Sequence, residues 1–236
     1  MTHPSIFLIT CEHGGNRVPP RYQPFFRDHG ELLQTHRGYD PGALTMAREF
    51  AAALAATLFV STTSRLLIDL NRSVRHPQLY SEATRNAPEP IRREIMKRYY
   101  LPYRTKAESF IHQAVTKGGR VVHISCHSFT PQLNDKVRTA DIGLLYDPTR
   151  SAEIKLCARW QATLKSFASD MKVRRNYPYA GRSAGLTAYL RRRFPADVYL
   201  GIELEINQKH VLKGGRGWRA LRRLTLDALR QALAGT

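Results

Sequence analysis

The chain has no long apolar run: no segment approaches the roughly 20 residues needed to cross a bilayer. Its first residues also lack the basic, then apolar, then small-residue order of a secretory signal. Cysteine is scarce. Three in 236 residues (Cys11, Cys126 and Cys157) are too few and too scattered for a disulfide framework. A reducing, cytoplasmic setting without a membrane partner is therefore expected. Acidic residues are few as well, 19 against 37 Lys and Arg, for a formal net charge of +18. No interleaved aromatic platform or recognised nucleic-acid motif accompanies that charge, so no specific nucleic-acid partner is expected. Repeats, low-complexity tracts and linkers are missing too, and residues 1–236 read as a single domain.

What is present is an ordinary globular composition, 42% hydrophobic and 24% charged, with the basic excess weighted toward one end. Residues 150–236 hold 18 Lys or Arg against 6 Asp or Glu, including Arg191-Arg192-Arg193 and Arg216, Arg219, Arg222, Arg223 and Arg230. A solvated basic face is the plain reading. The same field attracts polyanions and favours an acidic substrate.

Strand-like and helix-like segments alternate. The run Ile6-Phe7-Leu8-Ile9 reads as a first strand, and apolar spacing predicts a helix from about Pro41 to Ala56. Leu58–Thr62 and Arg65–Leu70 read as strands, and 71–90 as a loop able to fold over a site. A long helix from about Glu89 to Thr116, kinked near Pro102, precedes a strand over Val121–Ile124. A strand at Ile142–Tyr146, a helix over 152–167, a loop over 174–183 and a helix over 184–194 follow. Strand 198–206 and a helix over 218–233 close the chain. This order predicts an α/β fold with a mainly parallel, mixed central sheet flanked by helices on both faces, and ligands beyond the strands' carboxyl ends.

Three strand ends carry chemistry. His13 lies in Cys11-Glu12-His13-Gly14-Gly15-Asn16, where the glycines permit a sharp turn and close approach of a ligand. His127 follows a second strand, and Glu203 and Glu205 share one face of a third. Two imidazoles and a carboxylate at one end of a sheet are the parts of a hydrolytic zinc site. Each residue also has a plainer explanation. A strand-end His is often only a hydrogen-bonded loop residue, and Glu203 and Glu205 suit an edge strand wetted on one face. Asp40 before Pro41 is what a helix N-cap looks like, although it would supply the oxygen ligand that Asn16 does not. The plain reading of Asp69 is a salt bridge to an Arg that secures the loop, while Asn71 and Arg72 suit recognition of a substrate carboxylate. Cys126 is a competing nucleophile, but His127, next to it on extended backbone, points to the opposite side.

Together these pieces resemble the N-formylglutamate amidohydrolase family. The resemblance runs in order through Cys11–Pro19, Asp40–Ala43, Arg65 to Arg72, Cys126-His127-Ser128, Asn176–Gly181 and Glu203–Asn207. It implies a fold like that of the zinc carboxypeptidases, the phosphorylase/hydrolase-like zinc exopeptidases. It further implies one Zn2+ held by His13 and His127, with Asp40 the remaining candidate, and Glu205 as general base. Arg65, Asn71 and Arg72 would anchor a substrate carboxylate, and Asn176 and Tyr179 would line the pocket. Of the pair Glu203 and Glu205, read on the residues alone, one serves as base and the other holds a ligand or a basic side chain. The implied reaction is hydrolysis of a small anionic N-acyl amino acid, N-formyl among the candidates. The family commonly carries an Asp two residues before the second His, where this chain has Ser125. The alternatives are a same-fold hydrolase of another amide or peptide, and a non-catalytic polyanion binder.

Overall fold

The computed structural model describes residues 4–182 and 185–234. In chain order the elements are β1 (Ser5–Cys11), α1 (Gly30–Leu33), α2 (Ala43–Ala53), β2 (Thr57–Val60), α3 (Glu89–Ile95) and α4 (Leu101–Thr116). They continue with β3 (Arg120–Phe129), the small hairpin of β4 (Gln132–Leu133) and β5 (Lys136–Val137), β6 (Ile142–Leu145) and α5 (Ser151–Phe167). The last are β7 (Val173–Arg175), α6 (Leu186–Arg191), β8 (Tyr199–Asn207), α7 (Gln208–Lys213) and α8 (Gly215–Ala234). A π-helical turn, Met96–Tyr100, joins α3 to α4. It makes room for Pro102, which has no N–H and whose ring crowds the preceding turn. No helix among the described residues is long and apolar enough to cross a membrane.

Six strands form a mixed sheet in the order β2-β1-β3-β8-β6-β7, parallel except for the β6–β8 pair. The buried strands alternate by face. Ile9, Cys11, Val122, Ile124, Cys126 and the even-numbered apolar residues of β8 join one core with α2, α5 and α8. Within it Trp160 is fully buried and its indole N–H donates to the Thr225 carbonyl at 3.0 Å, tying α5 to α8. Leu8, Val121 and Tyr199 point the other way, into a second core with α4 and α6. Helices thus cover both faces, as the alternation of segments predicts.

Several local expectations are corrected. Arg65–Leu70 is not a strand but a series of turns. Leu66, Leu67, Ile68 and Leu70 instead pack into a third apolar cluster with Tyr22, Phe26, Leu79, Ile95 and Tyr100. Helix α2 starts at Ala43 with Gly42 (φ 82°) in the cap position, so Asp40 is not its N-cap. β8 lies between β3 and β6, so Glu203 and Glu205 are not on an edge strand. Arg191 is not part of a solvated basic face: it is buried against Glu153 at 3.1 Å. The loop end at Ser183 and the helix start at Ala184 lie outside the described residues.

Candidate active site

From β1 the chain crosses to β2 on one side and later to β3 on the other, so the carboxyl ends of β1 and β3 flank the point where strand order reverses. Open α/β sheets form their ligand crevice at such a point. His13 follows β1 by two residues and His127 lies near the end of β3, paired in register with Glu205 on β8. Gly14 and Gly15 permit a close approach within the protein. A Cβ at Gly15 would fall 2.7 Å from the Thr62 carbonyl oxygen, so the glycine lets this loop pack on the backbone beyond β2.

Asp40 is brought to the two histidines by the turn before α2, where its N–H donates to the His13 carbonyl at 2.9 Å. Its Oδ2 lies 2.8 Å from His127 Nδ1 and 3.4 Å from His13 Nδ1. One donor atom from each of His13, Asp40 and His127 lies within 4.8 Å of the others, and all three residues are buried. The imidazole rings are 5.1 Å apart between centroids, tilted at 58°.

The far nitrogen of each imidazole meets another carboxylate. His13 Nε2 is 2.7 Å from Asp69 Oδ1, and His127 Nε2 is 3.0 Å from Glu12 Oε2. Asp69 is held by Arg65 at 2.7 Å, while Glu12 accepts from Ser125 at 2.6 Å and from Tyr103 at 3.0 Å. This pairing fixes the orientation of each ring and raises its basicity, as it does around protein-bound metals. Two imidazole nitrogens and a carboxylate oxygen, backed in this way, suit a divalent cation of borderline softness, zinc above all. The set can hold a metal.

The charges follow from the contacts. Burial alone would lift the Asp40 carboxyl, but His13, His127 and Arg65 hold it well below the ordinary carboxylate range. Glu12 is likewise held down, chiefly by His127 against the effect of burial. Burial would lower His127, yet the Asp40 and Glu12 carboxylates on either side raise it well above the usual imidazole value. Glu205 goes the other way. Burial, reinforced by Asp40 and Glu203, pushes it up to about 8. Its Oε2 is buried with no hydrogen-bond partner among the described residues. Such an orphaned oxygen is costly unless something further reaches it.

His13, Asp40, His127 and Glu205 line a cavity of about 130 Å³ that also receives Asn71, Arg72, Ser128, Tyr179, Gly185 and Glu203. Asn71 Oδ1 accepts from the Leu186 N–H at 2.6 Å, and Glu203 accepts from Thr187 at 2.5 Å. Arg65 borders the same cavity, with three of its N–H donors directed at Asp40 and Asp69. Asn176 does not line it. Its Oδ1 accepts from the N–H groups of Tyr146 and Gly181, so the side chain shapes the loop that carries Tyr179. Cys126 faces the apolar core, where burial raises its thiol far above the usual value. His123 is structural: it bridges Thr10 and Tyr199 at 2.8 and 2.7 Å, and burial lowers it to about 4.

Asp69 pairs with an arginine, Arg65, as its sequence context suggests, but its contact with His13 and the whole part of Glu12 are not signalled by any local motif. Glu12 was legible in principle, because it continues the even-numbered positions Leu8 and Thr10, which pair with His123 and Ser125 on β3, one step past the end of β1.

Residues 5–212 match the model of the N-formylglutamate amidohydrolase family. The chain is similar in structure to a gene product of Agrobacterium tumefaciens, at a TM-score of 0.83 and 26% identity over 99% of this chain and 92% of that one. It is also similar to N-formylglutamate amidohydrolase from Ralstonia eutropha, at a TM-score of 0.72 and 20% identity over 98% and 94% of the two chains, which speaks to the fold. No curated protein sequence matches it.

Proposed function

The chain belongs to the N-formylglutamate amidohydrolase family, and we propose that it is a zinc-dependent amidohydrolase of anionic N-acyl amino acids, with residues 1–236 acting as one catalytic unit. The observation that carries this reading is the meeting of His13, Asp40 and His127 beside the orphaned carboxylate of Glu205. His13, Asp40 and His127 would hold the zinc. When bound, zinc supplies Lewis acidity to the amide carbonyl and to the attacking water, and each effect lowers the barrier by several kcal/mol.

The protein's own groups do the rest. Glu205 accepts a proton from the water as its oxygen bonds to the carbonyl carbon, then returns that proton to the nitrogen as the C–N bond breaks. The products are a carboxylic acid and a free amine. Burial raises the proton affinity of Glu205 above that of an ordinary carboxylate, which favours a group that takes up a proton and then returns it. Asn71 and Arg72 anchor the carboxylate of the amino acid, with the two free N–H groups of Arg65 beside them. Glu203, fixed by Thr187, orients the bound amine, and Tyr179 closes the exposed side.

The test is metal analysis of protein purified without a His tag, together with release of amine from a panel of N-formyl and N-acetyl amino acids. Near one equivalent of zinc, lost together with activity on His13→Ala, is the expected result. A metal-free protein that hydrolyses none of the panel and binds DNA with steep salt dependence would sink the reading in favour of a polyanion binder.

A further inference from the structure

Beyond the candidate site the cavity widens into an outer chamber of about 530 Å³. The two spaces share Asp40, Arg65, Arg72, Ser128 and Tyr179, so they adjoin. The outer volume alone matches a complete small-molecule site, about 300–1,000 Å³. A formyl group would leave nearly all of it to water.

The charge of the chamber is one-sided once internal pairs are set aside. Of its carboxylates, Asp40 and Asp69 are engaged by Arg65 and the two histidines, and Glu82 lies 2.5 Å from Arg37. Two cations are left over. Arg72 approaches Asp69 only at 3.7 Å, beyond hydrogen-bond reach, and the Arg85 guanidinium has no partner among the described residues. Phe129 and Tyr80 give the chamber apolar walls between these charges.

We propose that the outer chamber is the acyl-side subsite, and that it takes a short acidic peptidyl group rather than formyl. This deepens the amidohydrolase reading and rests on it. The amino acid to be released sits in the inner pocket with its carboxylate on Arg72 and Asn71. The acyl portion runs outward past Tyr179, and a distal carboxylate meets Arg85. Hydrolysis adds water across the scissile amide, leaving a shortened acidic peptide and one free amino acid.

N-formylglutamate and N-acetyl-Glu-Glu-Glu test this directly, because both release glutamate and differ only in the acyl part. With zinc-loaded enzyme, kcat/KM for the peptide is expected to exceed that for N-formylglutamate by about tenfold or more, the size of one well-placed charged contact. Arg85→Ala should raise KM for the peptide by about the same factor and leave N-formylglutamate unchanged. Equal kcat/KM for the two, or an equal effect of Arg85→Ala on both, overturns the subsite while leaving the amidohydrolase intact. Calorimetric binding of N-acetyl-Glu-Glu-Glu to Glu205→Gln protein gives a readout without turnover. Binding weakened by Arg85→Ala and by salt supports the chamber even if neither compound is cleaved, a result that would count against the amidohydrolase reading alone. No binding rejects the chamber.

Discussion

Glu12 Oε2 sits 3.0 Å from Nε2 of His127, and the carboxylate that holds this ring therefore comes from the residue that follows β1 and not from β3. Position 125 carries a serine that donates to the same Glu12 oxygen at 2.6 Å. The charge behind the second histidine is thus present, delivered from just past the neighbouring strand. Glu12→Gln should weaken zinc binding by about 10–100-fold, the usual effect of removing such a partner. Competition against a chelator of known affinity measures it. Adding Ser125→Asp to Glu12→Gln should restore part of the loss, because the carboxylate then returns two residues before His127. Unchanged affinity in the single variant would mean that Glu12 does not tune this ring.

Arg191 separates structural from surface arginine. Its Nη1 donates to the Gly181 carbonyl at 2.6 Å, its Nη2 to the Gly201 carbonyl at 2.5 Å, and Nε faces Glu153 at 3.1 Å. Arg192, the next residue, is exposed. Arg191→Ala strands a buried carboxylate and two carbonyls, so about 3–5 kcal/mol of stability should be lost. Arg192→Ala should stay within about 0.5 kcal/mol of the parent. Urea unfolding of both variants compares them, and similar midpoints would refute the distinction.

The same contrast shows what was legible in the chain. The order of segments specified a helix-covered sheet, because the apolar runs and helical spacings are local properties. The polar face was harder. His123, Ser125 and His127 alternate with Val122, Ile124 and Cys126, and Glu203 and Glu205 alternate with Ile202, Leu204 and Ile206. Alternation of this kind usually marks a strand wetted on one side. Here both strands are central, so their polar residues face one another and become a site. Strand order, a tertiary fact, decides between the two readings. Asp40 does not cap α2 for a local reason, since Pro41-Gly42 turns the chain and leaves its carboxylate to the two histidines and Arg65. The apolar run Leu66–Leu70 has the length of a strand but packs under the loop that follows it, which positions Asp69 and Arg72.

Arg72 borders the cavity with its side chain 36% exposed and only a distant ion pair. An arginine so placed can grip a carboxylate in two-pronged fashion. Arg72→Ala should raise KM for substrates with a free carboxylate by about 10–100-fold, the worth of a charge-assisted contact, with a small change in kcat. The esters and amides of the same substrates should be affected much less. Steady-state kinetics on matched acid and amide pairs decides the matter, and equal losses on both would reject the clamp.

Glu205 gives a pH signature that needs no substrate. Its folded pKa of about 8 stands above the ordinary value for a glutamic acid, so the folded state holds a proton that the unfolded chain has already released. Stability therefore falls as pH rises from about 4.5 to 8, because the native state binds more protons there. The contribution approaches about 1.4 kcal/mol per pH unit inside that window and vanishes outside it. Glu205→Gln cannot ionise and removes this slope. Chelator-treated parent and variant, unfolded in urea at pH 5, 6, 7 and 8, should diverge steadily, with the variant increasingly favoured toward pH 8. Parallel curves would mean that Glu205 is ionised in the folded protein throughout, and the raised pKa would be refuted while its part as proton acceptor would stand.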